Sequence, residues 1–370
     1  MQAKARRPAF LLAALISVVA LAAACDPGWT SASLGTGDGS GTVPGSVDVP
    51  AADVSLVQAS ATVDLGVRGY LTYDAASCRI YRTVGGSTTL FAGNGTCGNS
   101  GDGGPATEAS IDILLPPFGT GLQVDDQGSV LLDAHDHTAG NGLIRKIDQS
   151  GTITRVATPD SDGLMMGINP SGDGGVVYLL YSTNESADTY EIREVDASGN
   201  DVLVATWTGH GAAGPPASFV TVGPDHWVVL GWGATTSNGQ VLVDIDHGTV
   251  TTADLANPPG VGTTDYLFLN AADSAGNLYG VTYVDQGDDG YWGRANRVIR
   301  IRPDRTIDVI AGSGAADPET SRQMGTGADL DLSALAVSVT RQSNLLISSG
   351  HTVYRMIDAA HAPAIVPAGS

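Results

Sequence analysis

Short apolar runs separated by polar turns make up most of this chain after residue 57. Val, Ile, Leu, Thr and Tyr cluster in short runs that are interrupted by Asp-Gly, Ser-Gly and Gly-Asn. Residues 122–132 are typical of two strands joined by a turn, and residues 270–279 and 337–347 repeat the pattern. Gly and Asn supply the positive φ that tight hairpins require. No long stretch has the 3.6-residue periodicity of a helix, so the pattern predicts an all-β fold.

A second pattern repeats along the chain and predicts the number of sheets. Six times, a strand ends in an apolar residue, often followed by Asp, and a polar or glycine turn leads into a second strand. The spacings between successive repeats, from the second to the last, are 48, 50, 56 and 56 residues. A four-stranded propeller blade takes roughly 40 to 50 residues, so each interval holds one blade with loop extensions. The spacings are measured between Ile147, Val195, Ile245, Ile301 and Ile357.

The glycine-rich segment at residues 91–107 (FAGNGTCGNSGDGGPAT) is followed at fixed distance by residues 121–133 and 144–157. In that order the three segments look like one unit of an NHL repeat, and residues 311–314 echo residues 92–95. The resemblance spans about residues 60–370, and it implies a six-bladed β-propeller of four-stranded antiparallel blades. The glycine-rich segment lacks the lysine and the strand-loop-helix context of a phosphate-binding loop, which favours a crossover between blades.

The N-terminus predicts export. Basic residues in the first seven positions precede an apolar run at residues 9–24, which is shorter than the roughly 20 residues of a spanning helix. Cys25 follows Leu21-Ala-Ala-Ala24, which resembles a bacterial lipobox with its leucine one place early. This implies cleavage before Cys25, lipidation of Cys25, and a protein anchored to the bacterial cell membrane on its extracytoplasmic side. The alternative is an ordinary secretory signal cleaved nearby.

Three regions follow from these signals. Residues 1–24 form a lipoprotein signal peptide, and residues 25–56, rich in Gly, Ser, Pro and Thr, form a flexible linker. Residues 57–370 form the propeller. Blade six is expected to supply its own late strands from residues 353–366, and residues 54–58 could add to its edge and close the ring.

The remaining cysteines, Cys78 and Cys97, form an even pair in an oxidising compartment. Cys78 begins the third strand of blade one, and Cys97 follows the fourth strand, which runs back antiparallel. The two thiols should therefore meet in a disulfide, the alternative being two buried free thiols. Such a bridge would contribute about 3 kcal/mol in the loop-entropy model.

Charge limits the possible partners. Without the three bases of the signal peptide, 15 basic residues stand against 39 acidic ones. This balance excludes nucleic acid, because a phosphate backbone requires a basic surface. The acidic excess favours solubility instead.

Candidate catalytic chemistry is sparse. His135 and His137 could share one side of a strand as metal ligands, with His351 as a third ligand, but ordinary loop histidines are the favoured interpretation. Residues 285–290 resemble a calcium loop, yet Gly287 stands where an oxygen ligand should be and no bidentate Glu follows. No Gly-x-Ser-x-Gly elbow occurs. We therefore expect no catalytic residue, no metal ligand and no cofactor.

One set of residues is a candidate binding ring. Aligning the second strand of each blade brings aromatic or imidazole side chains to comparable positions, where they would surround one mouth of the tunnel and bind a ligand. The alternative is that these side chains wedge between blades. The candidate ligand-binding residues are His135, Tyr181, Trp232, Tyr283 and His351.

Two functions remain open at this point. The favoured one is a binding or scaffolding module for a protein or a cell-envelope glycan, which contacts the membrane only through lipidated Cys25. The alternative is an extracytoplasmic enzyme similar to propeller lyases or lactonases, with a metal in the central tunnel. Binding is favoured because a fold by itself does not assign chemistry.

Overall fold

The protein is all-β, as a computed structural model shows. In the described part of the chain, the helical segments are three single 3₁₀ turns, Gly66–Arg68, Ala106–Glu108 and Ala359–His361. No helix among the described residues is long and apolar enough to cross a membrane. The structure describes residues 44, 46–48, 59–114, 121–136, 141–158, 163–172, 174–183, 188–208, 218–223, 225–232, 240–255, 266–285, 292–312, 325–326, 334–340, 344–349 and 352–365.

The first three blades are four-stranded antiparallel sheets with consecutive strands paired in chain order. Strand β1 (Ser46–Asp48) precedes them. The strands of blades one to three are β2 (Ala59–Asp64), β3 (Tyr70–Asp74), β4 (Arg79–Val84) and β5 (Ser87–Ala92); β6 (Leu122–Val124), β7 (Val130–Asp136), β8 (Asn141–Ile147) and β9 (Ile153–Ala157); and β10 (Leu164–Pro170), β11 (Val176–Thr183), β12 (Asp188–Val195) and β13 (Asp201–Thr208).

Blades four and five follow the same plan, and blade six has three strands in chain order with a fourth from elsewhere in the chain, which confirms the predicted ring of six blades. Their strands are β14 (Ser218–Gly223), β15 (His226–Trp232), β16 (Gln240–Asp246) and β17 (Thr249–Leu255); β18 (Tyr266–Ala272), β19 (Leu278–Asp285), β20 (Trp292–Ile301) and β21 (Ile307–Ala311); and, after the two-residue β22 (Gly325–Thr326), β23 (Ala334–Val339), β24 (Leu345–Ser349) and β25 (Thr352–Met356).

The ring closes differently from the prediction. Strand β1 pairs antiparallel with β25, with Val47 opposite Met356, so the fourth strand of blade six comes from the N-terminal side of the chain. Within the predicted range 353–366, β25 forms the third strand of blade six, and the described residues after it, 357–365, form no strand. After β25 the chain makes a 3₁₀ turn, and the Ile365 N–H donates to the Val309 carbonyl oxygen of blade five at 2.7 Å.

Strand β1 lies within residues 25–56, the segment predicted to be a flexible linker. Its outer edge pairs in turn with β22, where Ser46 stands opposite Thr326. Residues 54–58, the predicted closing segment, lie outside the described residues. A segment before blade one therefore completes blade six, as the prediction for residues 54–58 had it, but the strand that does so lies earlier in the chain.

Apolar side chains fill the space between neighbouring blades. Leu122 of blade two packs in one cluster with Leu71 and Ile80 of blade one, and Val124 packs against its margin. Similar clusters join blades two and three, three and four, four and five, and five and six. Strand alternation explains the pattern, since successive residues point to the two faces of a blade and each face meets a neighbour.

The glycine-rich segment is a crossover between blades one and two, and it runs along the outer strand of blade two. The Gly103 N–H donates to the Ile153 carbonyl oxygen at 2.8 Å, and the Ile153 N–H donates to the Gly104 carbonyl oxygen at 3.0 Å. Gly93 has φ of 92°, and a Cβ there would stand 2.4 Å from the Cys78 carbonyl oxygen. Only glycine allows the backbones to approach so closely.

The predicted disulfide is confirmed. Cys78 and Cys97 are bonded, with their Cα atoms 5.2 Å apart and a sequence separation of 19 residues. Cys78 is buried at the turn that leads into β4, whereas Cys97 lies on the exposed crossover. The bridge therefore fastens the start of the crossover to blade one.

Candidate functional site

A cavity of about 210 Å³ lies at the centre of the ring. Its wall is built from the first strand of every blade, namely β2, β6, β10, β14, β18 and β23. Because these six strands are the innermost strands, the cavity is the central tunnel of the propeller.

Each innermost strand contributes an uncharged polar side chain to the tunnel wall. These side chains carry hydroxyl or amide groups, which can both donate and accept hydrogen bonds. Asp64 is the one ionisable side chain among the lining residues. The six uncharged residues are Thr62, Gln123, Asn169, Thr221, Asn270 and Ser338.

Four of these side chains have a buried polar atom with no hydrogen-bond partner. The atoms are Thr62 Oγ1, Thr221 Oγ1, Asn270 Oδ1 and Ser338 Oγ. Leaving such a group without a partner costs about 1–3 kcal/mol in desolvation. Four unpartnered atoms around one cavity indicate a space that water or a ligand completes, because native proteins leave few buried polar groups unsatisfied.

Other polar groups of the innermost strands form hydrogen bonds that join neighbouring blades. Asn169 Nδ2 donates to the Phe219 carbonyl oxygen at 3.1 Å and so joins the innermost strands of blades three and four. Ser218 Oγ accepts a hydrogen bond of 2.7 Å from the Leu269 N–H and joins blades four and five. These two hydrogen bonds hold neighbouring blades together, whereas the four unpartnered atoms make no such contact.

Two buried tyrosines behind the tunnel wall keep their phenolic protons. Tyr73 and Tyr279 lie on second strands, opposite the lining residues Ala61 and Ala271. Burial raises the pKa of the Tyr73 phenol. Burial, and then the 2.8 Å hydrogen bond to Asp273, raise the pKa of the Tyr279 phenol. Both phenols therefore stay neutral at physiological pH and do not serve as bases.

Of the five side chains in the candidate binding ring, the structure describes that of Tyr181. His135, Trp232 and Tyr283 lie near the ends of β7, β15 and β19, where their backbones pair with Gly142, Gln240 and Ala295. Their side chains are outside the description, as are the whole of His137 and His351. The strand ends do lie at one side of the ring, since all three are second strands.

Tyr181 has a described side chain, and it is 5% exposed. Its ring lies 5.0 Å from that of Tyr190, which stacks on Trp207 at 5.4 Å and 9°. This group belongs to the core cluster between blades three and four, together with Phe219. Tyr181 therefore occupies the inter-blade position that the sequence left open as the alternative. The ligand-binding ring of five residues stays a prediction.

The polar tunnel wall was not predicted from the sequence. Its signal was present, since each innermost strand carries an uncharged polar residue two or three positions before its turn, as in Gln123 before Asp125 and Ser338 before Thr340. In an ordinary exposed strand such a residue faces solvent. Only closure of the ring turns these positions inward to one cavity.

The donor set of the wall does not match a catalytic metal centre. Zinc prefers His and Cys, and calcium takes six to eight oxygens that usually include several carboxylates. The lining residues offer Asp64 as a single carboxylate and otherwise neutral groups. Within the described ranges, no group of three or more His, Cys, Asp or Glu residues is placed to hold a metal ion.

No family model and no curated protein matches the sequence. Solved structures match its fold. A candidate gluconolactonase is 8% identical, with 85% of this chain and 92% of that one covered and a TM-score of 0.50. A Bacteroides thetaiotaomicron protein of unknown function is 10% identical, covers 84% and 75%, and has a TM-score of 0.55. A streptogramin B lyase is 12% identical over 84% and 96%, with a TM-score of 0.45.

At these identities the matches show the fold alone. Fold and tunnel together define the class of protein, a six-bladed β-propeller with a small polar cavity at its centre, lined mostly by uncharged groups.

Proposed function

We propose that this chain is an extracytoplasmic binding or scaffolding module that recognises a protein or a cell-envelope glycan. The observation that carries the proposal is the tunnel wall, to which all six blades contribute neutral hydrogen-bonding side chains. Groups of this kind recognise ligands through hydrogen bonds, and in binding sites a few such groups fix the orientation of the ligand. Among the described lining residues, Asp64 is the one ionisable group, whereas acid–base catalysis commonly uses a pair.

The proposal includes a lipid anchor at Cys25. A charged start, an apolar run and a small-residue cleavage site precede this cysteine. Radiolabelled palmitate should enter the protein when the host cell makes it, and a Cys25→Ser variant should remain unlabelled. Equal labelling of the two proteins would remove the anchor from the proposal.

Binding is tested by incubating the full-length protein with fractionated envelope glycans and envelope proteins, and measuring affinity for each fraction that is retained. If the predicted ring contributes, Trp232→Ala should weaken retention about tenfold or more, as loss of an aromatic anchor does. Trp232→Phe keeps a ring and should recover most of the affinity. Unchanged affinity in the folded Ala variant would remove Trp232 from the site.

An envelope enzyme of the lactonase or lyase kind is the competing function. Elemental analysis of the full-length protein distinguishes the two, because such an enzyme would hold Ca²⁺ or Zn²⁺ in stoichiometric amount. A tightly held ion at one per chain would overturn the binding proposal, and its removal should then abolish activity.

A further inference from the structure

We propose that the tunnel itself is a binding site for one small, uncharged, hydroxyl-rich ring, such as a single sugar residue. This inference deepens the proposed binding function, on which it rests, by naming the class of ligand and the residues that hold it. It does not involve the residues of the candidate binding ring, which were predicted to surround the tunnel mouth.

The first reason is the arrangement of the unpartnered atoms. Thr221, Asn270, Ser338 and Thr62 belong to blades four, five, six and one, which are consecutive around the ring. The atoms therefore form a continuous arc over four of the six blades. Thr62 is only 4% exposed, so bulk solvent does not satisfy its hydroxyl. An arc of this kind suits a ligand that carries polar groups around its own circumference.

The second reason is the chemistry of the arc. Hydroxyl and amide groups both donate and accept hydrogen bonds. Ligand hydroxyls do the same, so each contact can form in either direction. An anionic ligand would be less well matched, because the described lining residues include no Lys, Arg or His to pair with it. Asp64, the one carboxylate among the described lining residues, also disfavours an anion.

The third reason is the size and apolar part of the cavity. Its volume of about 210 Å³ is smaller than the roughly 300–1,000 Å³ of pockets for drug-sized ligands. Between the polar side chains, Val63, Val220 and Val337 also line the cavity and are at most 9% exposed. A sugar ring presents C–H groups as well as hydroxyls, so it can contact both kinds of surface at once.

The experiment measures binding of small uncharged rings to the full-length protein by calorimetry. An amine oxide detergent is used, since a detergent with a sugar headgroup would compete. The probes are glucose, N-acetylglucosamine and myo-inositol, with glucuronate as the charged analogue of similar size. We expect saturable binding of at least one neutral probe, and at least tenfold weaker binding of its charged analogue.

Two matched variants assign the binding to the tunnel. Thr62→Val and Thr72→Val each remove a buried hydroxyl that has no partner, and the two residues stand opposite each other on β2 and β3. Thr62 lines the cavity, whereas Thr72 is not among its lining residues. Both changes should raise the melting temperature or leave it unchanged, because an unsatisfied group is removed.

Only the tunnel variant should change affinity. We expect Thr62→Val to weaken binding of the neutral probe about three- to tenfold, which is the loss of one hydrogen bond, and Thr72→Val to leave it unchanged. Equal effects of the two variants, or tighter binding of a charged analogue, would overturn the inference.

The remaining outcomes separate this inference from the proposed function. If no neutral probe binds but envelope fractions are still retained, the tunnel holds only water and the inference is wrong, while the binding module stands. If neither probes nor envelope fractions bind, both proposals fail.

Discussion

Two junctions of the propeller are held by fully buried arginines, and they are built differently. At the junction of blades one and two, Arg145 of β8 is 0% exposed. Its Nε donates to Asp102 Oδ1 at 2.9 Å, and its terminal nitrogens donate to the carbonyl oxygens of Ser110 and Ser100 at 2.8 and 3.1 Å. These partners all lie on the crossover, which the disulfide also fastens.

At the junction of blades five and six, Arg300 of β20 is 2% exposed. It donates to Asp308 Oδ2 at 2.7 Å and to the carbonyl oxygens of Ala359 and Ala360 at 2.8 and 2.7 Å. Its partners lie on the neighbouring strand and on the final 3₁₀ turn. Cys78 and Cys97 pair with each other at the first junction, which leaves a single cysteine in the chain, so no intrachain disulfide supports this second junction.

Strand register explains why the two arginines reach opposite neighbours. Arg145 stands opposite Leu132, whose side chain packs in the cluster between blades one and two. Arg300 stands opposite Tyr279, which packs between blades five and six. The two strands have similar sequences around an Ile-Arg pair, but the two arginines differ by one position in their register. Because successive side chains in a strand point to opposite faces, the Arg145 guanidinium points toward the preceding blade and the Arg300 guanidinium toward the following blade. In both places the arginine ties down a segment that has no strand of its own.

The largest predicted effect comes from removing these arginines. Arg300→Met should lower the free energy of unfolding by about 3–5 kcal/mol, because it leaves the buried Asp308 carboxylate, 8% exposed, with less compensation. Arg145→Met should cost less, about 2–3 kcal/mol, since Asp102 is 25% exposed and water can hydrate it. Denaturant unfolding of both variants checks the order.

Arg302→Met is the matched control for Arg300. Arg302 also contacts Asp308, at 2.8 Å, but its side chain is 43% exposed. Exposed ion pairs are worth roughly 0–1 kcal/mol, so the control should change stability by no more than that. If Arg302→Met lowered the free energy of unfolding as much as Arg300→Met, Asp308 and not the buried guanidinium would hold the junction.

The disulfide gives the next largest effect, and it should act on one junction only. Replacing Cys78 and Cys97 together by Ala should lower stability by about 3 kcal/mol, as loop entropy predicts for a separation of 19 residues. Hydrogen exchange should accelerate at the Gly103 amide on the crossover and stay unchanged at the Ile365 amide beside blade five. Equal acceleration at both amides would mean that the two junctions unfold as one unit.

Substitutions in the closing strand β1 test how blade six is completed. Val47→Pro removes the backbone N–H from the middle of β1, which pairs with β25 and β22. We expect a loss of about 2 kcal/mol, because a ladder hydrogen bond is lost. Val47→Thr keeps the N–H and a β-branched side chain, so it should be nearly neutral. A proline variant as stable as the threonine variant would contradict closure by β1.

Much of this architecture was predictable from the sequence, because the blade period and the turn residues are local signals. The Cys78–Cys97 bridge was predictable because its two cysteines flank a single hairpin, β4 and β5, at a sequence separation of 19 residues. The closing strand was not, since Ser46–Asp48 is a three-residue segment in a polar stretch and only blade six gives it a partner. The tunnel wall was missed for a similar reason. Thr62 and Ser338 are distant in sequence, and ring closure alone brings them to the same cavity.

The smallest predicted effect compares turns of blades two and five. Asp148 accepts hydrogen bonds from the Ser150 hydroxyl and from the Ser150 and Thr152 N–H groups, and these lower its carboxyl pKa. Asp304 has a lowered pKa mainly through the Thr306 N–H. A depressed folded-state pKa contributes stability above the unfolded value of about 3.8 and loses it as pH falls through the folded value.

Asp148→Asn and Asp304→Asn should therefore differ from the native protein above pH 4 and converge with it at lower pH. Both carboxylates are fully exposed, so the differences should be small, and the Asp148 variant should show the larger one because more donors contact its carboxylate. Melting temperatures of the three proteins between pH 2 and 6 measure this. A difference that grows as the pH falls would have the wrong sign for a depressed pKa, and it would show that the turns are stabilised by the protonated acid.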